Sequence, residues 1–435
     1  MNLIGQIVAM ALRPARELAP EALALAQCSL LDWMACAIAG ADEPVARNLR
    51  RLADLEGGKG TSSLVGGGRV PARMAALVNG ATSHALDYDD THFAHVGHLS
   101  VGIYPAALAV GEETGASAVE VVEAFLVGAE AAVRIGLILG RSHYNHGFHQ
   151  TATAGAFGAA IAAGRLYGLD PAQMRNALGL CATRASGLKS QFGTMGKPYN
   201  AGIAASNGVE CARLAQFGVT SADDGLFGAQ GFVATHHAEP VRVELPGSEV
   251  FLFENNKYKL HACCHGLHAM IEALLGNDAL RQVDLSNVAS FELRTNPRWM
   301  SVCDIKRPRT GLEVKFSYNW LAGMTLRGEQ TGNDRIYTDD IAHDAALSAF
   351  AQKVTVAADD GLSDLEASSI ITLNDGARID ASHDLAAPLP HTVLVARLRS
   401  KAEAMIGHKG NALWEQFSNL SPATAENIGN ALRNP

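Results

Sequence analysis

The sequence lacks several features that would each mark a particular way of life. No apolar run approaches the ~20 residues that a bilayer-crossing helix needs, so no membrane span is expected. Lys and Arg number 35 against 44 Asp and Glu, for a formal charge of -9. No basic block stands out, which argues against nucleic acid as a partner, because neutralising phosphates takes clustered cations. The seven cysteines form an odd set with no CxxC pair: Cys28, Cys36, Cys181, Cys211, Cys263, Cys264 and Cys303. Several lie in apolar, helix-like segments, where a thiol packs as a small hydrophobe. Residues 1–16 lack a basic start, a compact apolar stretch and a cleavage site, so no secretory signal is read there. With reduced thiols, a cytoplasmic protein is expected. There is no internal repeat and no low-complexity tract.

What is present is a globular chain of 435 residues with 48% hydrophobic and 18% charged content. That length favours two domains. From about residue 21 to 217 the sequence is rich in Ala, Gly and Leu, with apolar residues three and four apart, the pattern of closely packed helices. Helices are expected at 21–39, 72–85, 104–113, 118–139, 151–167, 171–185 and 200–216. Asp170 followed by Pro171 is a clear start, since Asp caps free amides and Pro needs no donor in a first turn. After Cys264 the texture changes. Strand-like alternation at 288–295, 353–358 and 368–373, ending in the turn Asn374-Asp375-Gly376, is interleaved with helical stretches at 318–326 and 340–350. The expected architecture is mainly α: a helical domain over 1–264, completed by 401–435, and a smaller α+β domain over 265–400. Trp414, Phe417 and Leu420 share one helical face in the final segment.

Four segments could carry chemistry. The densest in ionisable groups runs from His84 to Ser100 and holds Asp87, Asp89, Asp90, His92, His95 and His98 between two apolar helices. Burying such groups together shifts their pKa values, which is how carboxylates and imidazoles are tuned for proton transfer. A polar loop whose Asp residues cap the next helix explains the same pattern. His92, His95 and His98, three apart, also allow a metal reading, although no zincin or Cys-pair spacing accompanies them. His149 precedes an Ala/Gly-rich helix whose free amides suit a carboxylate. Lys197 stands in the Gly-rich stretch Gly193 to Asn200, as a carboxylate anchor or a solvated Lys. Lys259, His261, Cys263, Cys264, His265 and His268 crowd the inferred domain junction. Adjacent cysteines chelate one ion poorly, so hinge or cleft residues are the better reading.

Taken in order, these segments resemble the MmgE/PrpD family, which includes 2-methylcitrate dehydratase, cis-aconitate decarboxylase and iminodisuccinate epimerase. The carriers are HALDYDDTH with HLSVGIYPAALAVGE, GFHQTATAGAFGAA, LYGLDPAQMRNALGLCATRASGL, FGTMGKPYNAGIAASNGVECARLA, KLHACCHGLHAMIEAL and RTGLEVKFSYNWLAG. The resemblance implies a large all-helical domain, a smaller α+β lid domain, a homodimer, a small polycarboxylate substrate, and neither metal nor organic cofactor. It also implies site residues. His98 and His149 would be acid or base, Asp87 would orient an imidazole, and Thr91, Lys197, Lys259, Cys264 and Trp320 would contact substrate.

The chain departs from the family pattern at several positions. Leu260-His261-Ala262 stands where many relatives have Pro-Tyr-Pro, and His265 replaces a frequent Arg. Cys264 aligns with a His of the decarboxylase, and Trp320 stands where an aromatic Tyr is common. These departures weigh against decarboxylation. Dehydration of a hydroxy tricarboxylate such as 2-methylcitrate is therefore the leading expectation, with epimerisation of a dicarboxylate and cis-aconitate decarboxylation as alternatives. A non-catalytic scaffold and a zinc hydrolase are the outsiders.

Overall fold

The computed structural model describes residues 2–236, 245–281 and 283–434. The chain divides into two compact units, Met1–Tyr258 with Ile406–Pro435, and Lys259–Met405.

The first unit is helical, with α1 (Leu3–Ala11), α2 (Pro20–Ala39), α3 (Pro44–Glu56), α4 (Ala72–Ser83), α5 (Ser100–Thr114), α6 (Ala118–His146), α7 (Thr153–Leu166), α8 (Pro171–Arg184) and α9 (Gly196–Gln216). Helix α9 packs against α4, α5, α7 and α8, and α6 lies along α7. Small residues let these axes close up. A Cβ on Gly80 of α4 would stand 2.8 Å from the Cα of Gly202 in α9, and one on Gly202 would stand 2.3 Å from the Leu77 carbonyl oxygen. Glycine costs about 1 kcal/mol against alanine inside a helix, and backbone-to-backbone dispersion offsets that cost. Helix α8 starts as its sequence indicates: Asp170 accepts from the amides of Ala172 and Gln173, Gln173 returns a bond to Asp170, and Pro171 fills the first turn.

Helix α2 is more apolar than the sequence reading of short apolar runs allowed: its 20 residues include an 18-residue window long and apolar enough to cross a membrane by composition, and 67% of that window is buried inside the protein. Trp33 on α2 stacks on Tyr104 of α5, which stacks in turn on Phe125 of α6, with ring centroids 5.6 and 3.7 Å apart. This is the position of a core helix. Two C-terminal helices, His408–Phe417 and Ala425–Arg433, belong to the same unit and pack against α2 and α5 respectively. Trp414 and Phe417 are buried on the first of them, and Leu420 lies beyond its end.

The second unit is built on a four-stranded sheet of β1 (Val288–Thr295), β2 (Val354–Ala358), β3 (Glu366–Leu373) and β4 (Arg378–Asp384), in the order β2-β1-β3-β4. β1 runs parallel to β2 and antiparallel to β3, and β3 runs antiparallel to β4. The register of β1 on β3 shifts between Val288 and Ser290. The buried set of β1 accordingly changes parity, from Val288 to Phe291, Leu293 and Thr295, because one extra residue moves the side-chain alternation to the other face. The helix expected over 340–350 is two short helices, Asp339–Ala342 and Ala345–Ala351. Asp344 ends the run by capping the second, accepting from the Leu347 amide.

Candidate active site

The segment between α4 and α5 folds by local closures. The amide of Asp87 donates to the His84 carbonyl, and Asp87 takes a left-handed φ of 50°. The amide of His92 bonds the Gly97 carbonyl, with Val96 at φ 55° inside that turn. Gly97 is required there, since a Cβ would stand 2.8 Å from the Thr151 nitrogen. This approach lets Thr151 Oγ1 accept from the amide of His98 at 3.0 Å. The His98 loop is thereby joined to the turn that carries His149, two residues earlier.

At the centre, one buried carboxylate serves two imidazoles. His84 Nδ1 lies 2.7 Å from Asp89 Oδ1, and His98 Nδ1 lies 2.7 Å from Asp89 Oδ2. The first contact is a hydrogen bond; the second is a close contact that does not meet hydrogen-bond geometry. On its other side, His98 Nε2 lies 3.4 Å from Asp87 Oδ1, and Asp87 Oδ2 lies 2.5 Å from Lys197 Nζ. The neighbouring carboxylate, Asp90, is held apart from this set. It accepts from the amide and hydroxyl of Ser100 and from Asn256 Nδ2. Burial nevertheless raises the Asp90 pKa above the ordinary carboxylate value.

His149 is prepared differently. Asn200 Nδ2 donates to the Leu188 carbonyl and also faces His149 Nδ1, both at 3.2 Å. An amide nitrogen has only protons to offer, so Nδ1 is the acceptor and the neutral ring carries its proton on Nε2. Phe192 sits edge-on to this imidazole, 4.9 Å between centroids. Lys197 is not in a loop before its helix, as the Gly-rich run suggested, but in the first turn of α9, which starts at Gly196. Pro198 explains the earlier start, because it fits a first turn without losing a needed donor.

Burial sets the charge states. It lowers His98 to about 4, against the opposing pull of Asp89, and lowers His149 well below the ordinary imidazole value. Burial would raise Asp89, but the imidazoles of His84 and His98 hold it well below the carboxylate range. Both His98 and His149 are therefore neutral at pH 7, with a charged carboxylate behind His98. With its proton on the Nδ1 that faces Asp89, neutral His98 can offer a lone pair on Nε2, whereas neutral His149 carries its proton on Nε2.

The structure brings Asp87, His98, His149 and Lys197 together. Thr91 pairs by backbone with Lys257, at 2.7 and 2.8 Å. Lys259, Cys264 and Trp320 belong to the second unit. There Lys259 is buried, the Cys264 amide donates to the Lys315 carbonyl, and the buried Trp320 indole donates to the Ile341 carbonyl at 3.0 Å. His261, one of the departures from the family pattern, is held between Thr331 and Glu272, at 2.7 and 2.8 Å.

The triple-histidine metal reading does not survive. His92 spends Nε2 on the Leu252 carbonyl and Nδ1 on the His95 amide, while His95 turns Nδ1 to the Ala132 carbonyl. A different set, His84, Asp87, Asp89 and His98, offers one ligand atom each within 4.8 Å of one another. The carboxylates of that set already have partners, Lys197 on Asp87 and two imidazoles beside Asp89. His84, Asp89 and Asn200 are site residues that the sequence reading left without a role. Their signals were a second His five residues before Asp89 and an Asn one helical turn after Lys197.

Comparison with known proteins identifies the family. Residues 9–242 match the model of the MmgE/PrpD N-terminal domain, and residues 261–409 match that of the MmgE/PrpD C-terminal domain. The chain is 30% identical over 335 residues to a cis-aconitate decarboxylase of Aspergillus terreus, covering 71% of this chain and 68% of that one. It is 30% identical over 273 residues to a cis-aconitate decarboxylase-like protein of Aspergillus oryzae, covering 58% and 57%. With the human cis-aconitate decarboxylase it shares 31% identity over 156 residues, 35% of this chain and 32% of that one.

Proposed function

The chain belongs to the MmgE/PrpD family, and from that premise we propose that it is a lyase for a small tricarboxylic acid, working by proton transfer between His98 and His149. The observation that carries this reading is the opposite preparation of the two imidazoles: a carboxylate on the inner nitrogen of His98 and an amide donor on the inner nitrogen of His149. In a dehydration, His98 Nε2 takes the proton α to a substrate carboxylate. Asp87 and Asp89 stabilise the imidazolium, and Lys197 stabilises the negative charge that builds on the substrate. The C–O bond breaks with the electron pair leaving on oxygen, and His149 Nε2–H protonates the departing hydroxyl. No cofactor takes part in these steps.

Decarboxylation is the second reading, favoured by the decarboxylases among the relatives. Here the bond to a carboxylate carbon breaks, CO2 leaves, and His149 supplies the proton that the remaining carbon takes up. The departures at Leu260-His261-Ala262 and Cys264 are the reason dehydration is kept first. Thr91, Lys259, Cys264 and Trp320 are carried as substrate contacts on the resemblance alone, as are a homodimer, a lid role for the smaller domain and a cytoplasmic setting.

One experiment separates the reactions. Purified protein is incubated in deuterated water with hydroxy tricarboxylates, cis-aconitate and aspartate-derived acids. A dehydratase produces ultraviolet absorption from an alkene without CO2, a decarboxylase releases one CO2 per turnover, and an epimerase puts deuterium into recovered substrate with neither. Silence on every acid overturns the proposal.

A further inference from the structure

His84 is the buried titratable group at this site that the proposed reaction leaves unused. It is 1% exposed, and its Nδ1 is committed to Asp89 Oδ1 at 2.7 Å. Its Nε2 is buried with no hydrogen-bond partner among the described residues. Its ring lies edge-on to His98, 4.6 Å between centroids, and 6.3 Å from His149. Burying an imidazole with one nitrogen unsatisfied costs on the order of 1–3 kcal/mol. An apolar residue of similar size would avoid that cost if the position only filled space.

We propose that His84 is a positioning residue for the base: it holds one oxygen of Asp89 so that the other supports His98, leaving His98 Nε2 directed at substrate. This rests on the reading of His98 as the base. The physical reason lies in how a carboxylate divides its charge. A donor on Oδ1 draws electron density away from Oδ2, so Asp89 supports the imidazolium that forms during turnover without protonating His98 beforehand. Without His84, Asp89 would turn its undivided charge toward His98, raising the midpoint of that ring, and the carboxylate would be free to rotate, so that His98 Nε2 would no longer be held toward substrate. The charged and titratable groups facing His98 are Asp87, Asp89, His84, His95, His149 and, through Asp87, Lys197. Of these, only His84 shares a carboxylate with His98 at hydrogen-bond distance on its inner side. The lowered pKa of His98 includes a contribution from His84 in this direction, after burial.

The test reads His98 itself, by histidine-selective NMR of the free full-length protein, with His98→Gln identifying its resonance. His84→Phe removes the donor while keeping the site dry, and the titration midpoint of His98 should rise by about one pH unit. Asp89→Asn removes the charge, and the midpoint should fall. His84→Asn, whose amide can donate from nearly the same place, should recover most of the rise. In turnover, His84→Phe should move the acid limb of the kcat/KM profile upward by the same amount and lower kcat about tenfold or more, with KM little changed. A midpoint that stays put in His84→Phe, or that moves the same way in His84→Phe and Asp89→Asn, overturns the proposal; if His84→Phe fails to fold, His84→Leu removes the donor in its place and is read against Asp89→Asn in the same way. Opposite shifts in a protein that turns over no polycarboxylate would sink the lyase reading and leave this one standing.

Discussion

Lys197 Nζ lies 2.5 Å from Asp87 Oδ2, so the cation that would meet a substrate carboxylate already holds a carboxylate of the protein. The pair is partly open, with side chains 18% and 35% exposed, and an exchange of partners therefore costs little. Substrate would take Lys197, and Asp87 would turn its charge to His98, 3.4 Å away. Lys197→Met should raise KM about 10- to 100-fold with a smaller effect on kcat. Asp87→Asn should do the reverse, lowering kcat without raising KM. Steady-state kinetics on the two variants check this, and matching losses in both parameters would count against the exchange.

His98 and His149 should fail differently. Removing a general acid or base costs about 10²- to 10⁴-fold in rate. His98→Gln should abolish both product formation and exchange of the α-proton with deuterated water. In His149→Gln exchange should persist while elimination is lost, because His98 still removes the proton and only the departing group lacks its acid. The melting temperature of each variant shows whether the loss is chemical or structural.

Much of the fold is legible in the sequence, and for identifiable reasons. Helices such as α8 carry their own start signals in Asp170 and Pro171, and β1 and Tyr318–Leu326 occupy the spans their patterns indicate. Helix α3 is not among the expected segments because its apolar stripe is narrow: Val45, Ala46, Leu49 and Ala53 are buried amid charged neighbours. Strand β4, RIDASHD, is mostly polar and buries only Ala381, so it shows little alternation. At the site, the residue types point to proton transfer, but the division of labour does not follow from them. The proposed assignment of base and acid rests on Asn200, fifty-one residues from His149, and on the two oxygens of Asp89 facing different rings.

Acid should destabilise the folded protein as the pH falls below the ordinary imidazole value. Burial lowers His92 to about 4 and His95 to about 3, and His98 joins them at about 4. Each folded value lies below the ordinary imidazole value near 6.5. The unfolded chain therefore takes up protons that the folded chain refuses, and stability falls as pH drops from about 6.5 toward 4. The effect should be of order a few kcal/mol. Urea unfolding at several pH values measures it, and His95→Gln should flatten the slope. A midpoint constant across this window would mean that these rings are not buried in neutral form.

The close helix contacts make a prediction of opposite sign within one helix. On α7, a Cβ at Gly158 would stand 2.6 Å from the Gly128 carbonyl oxygen on α6 and 2.8 Å from Ile103 Cδ1 on α5. At Gly155, one turn earlier, the nearest atoms are 3.9 Å away. Intrinsic propensity favours alanine at both positions by about 1 kcal/mol, so any difference between them comes from packing. Gly158→Ala should destabilise by about 1–3 kcal/mol net, because backbone and a branched side chain must move apart. Gly155→Ala should stabilise by about 0.5–1 kcal/mol. Since α7 begins at Thr153, four residues after His149, the strained variant should also lose turnover at temperatures where it remains folded, and the relaxed one should not. Urea midpoints and rates for the pair decide the matter: equal shifts would show that α6 and α7 do not meet at Gly158.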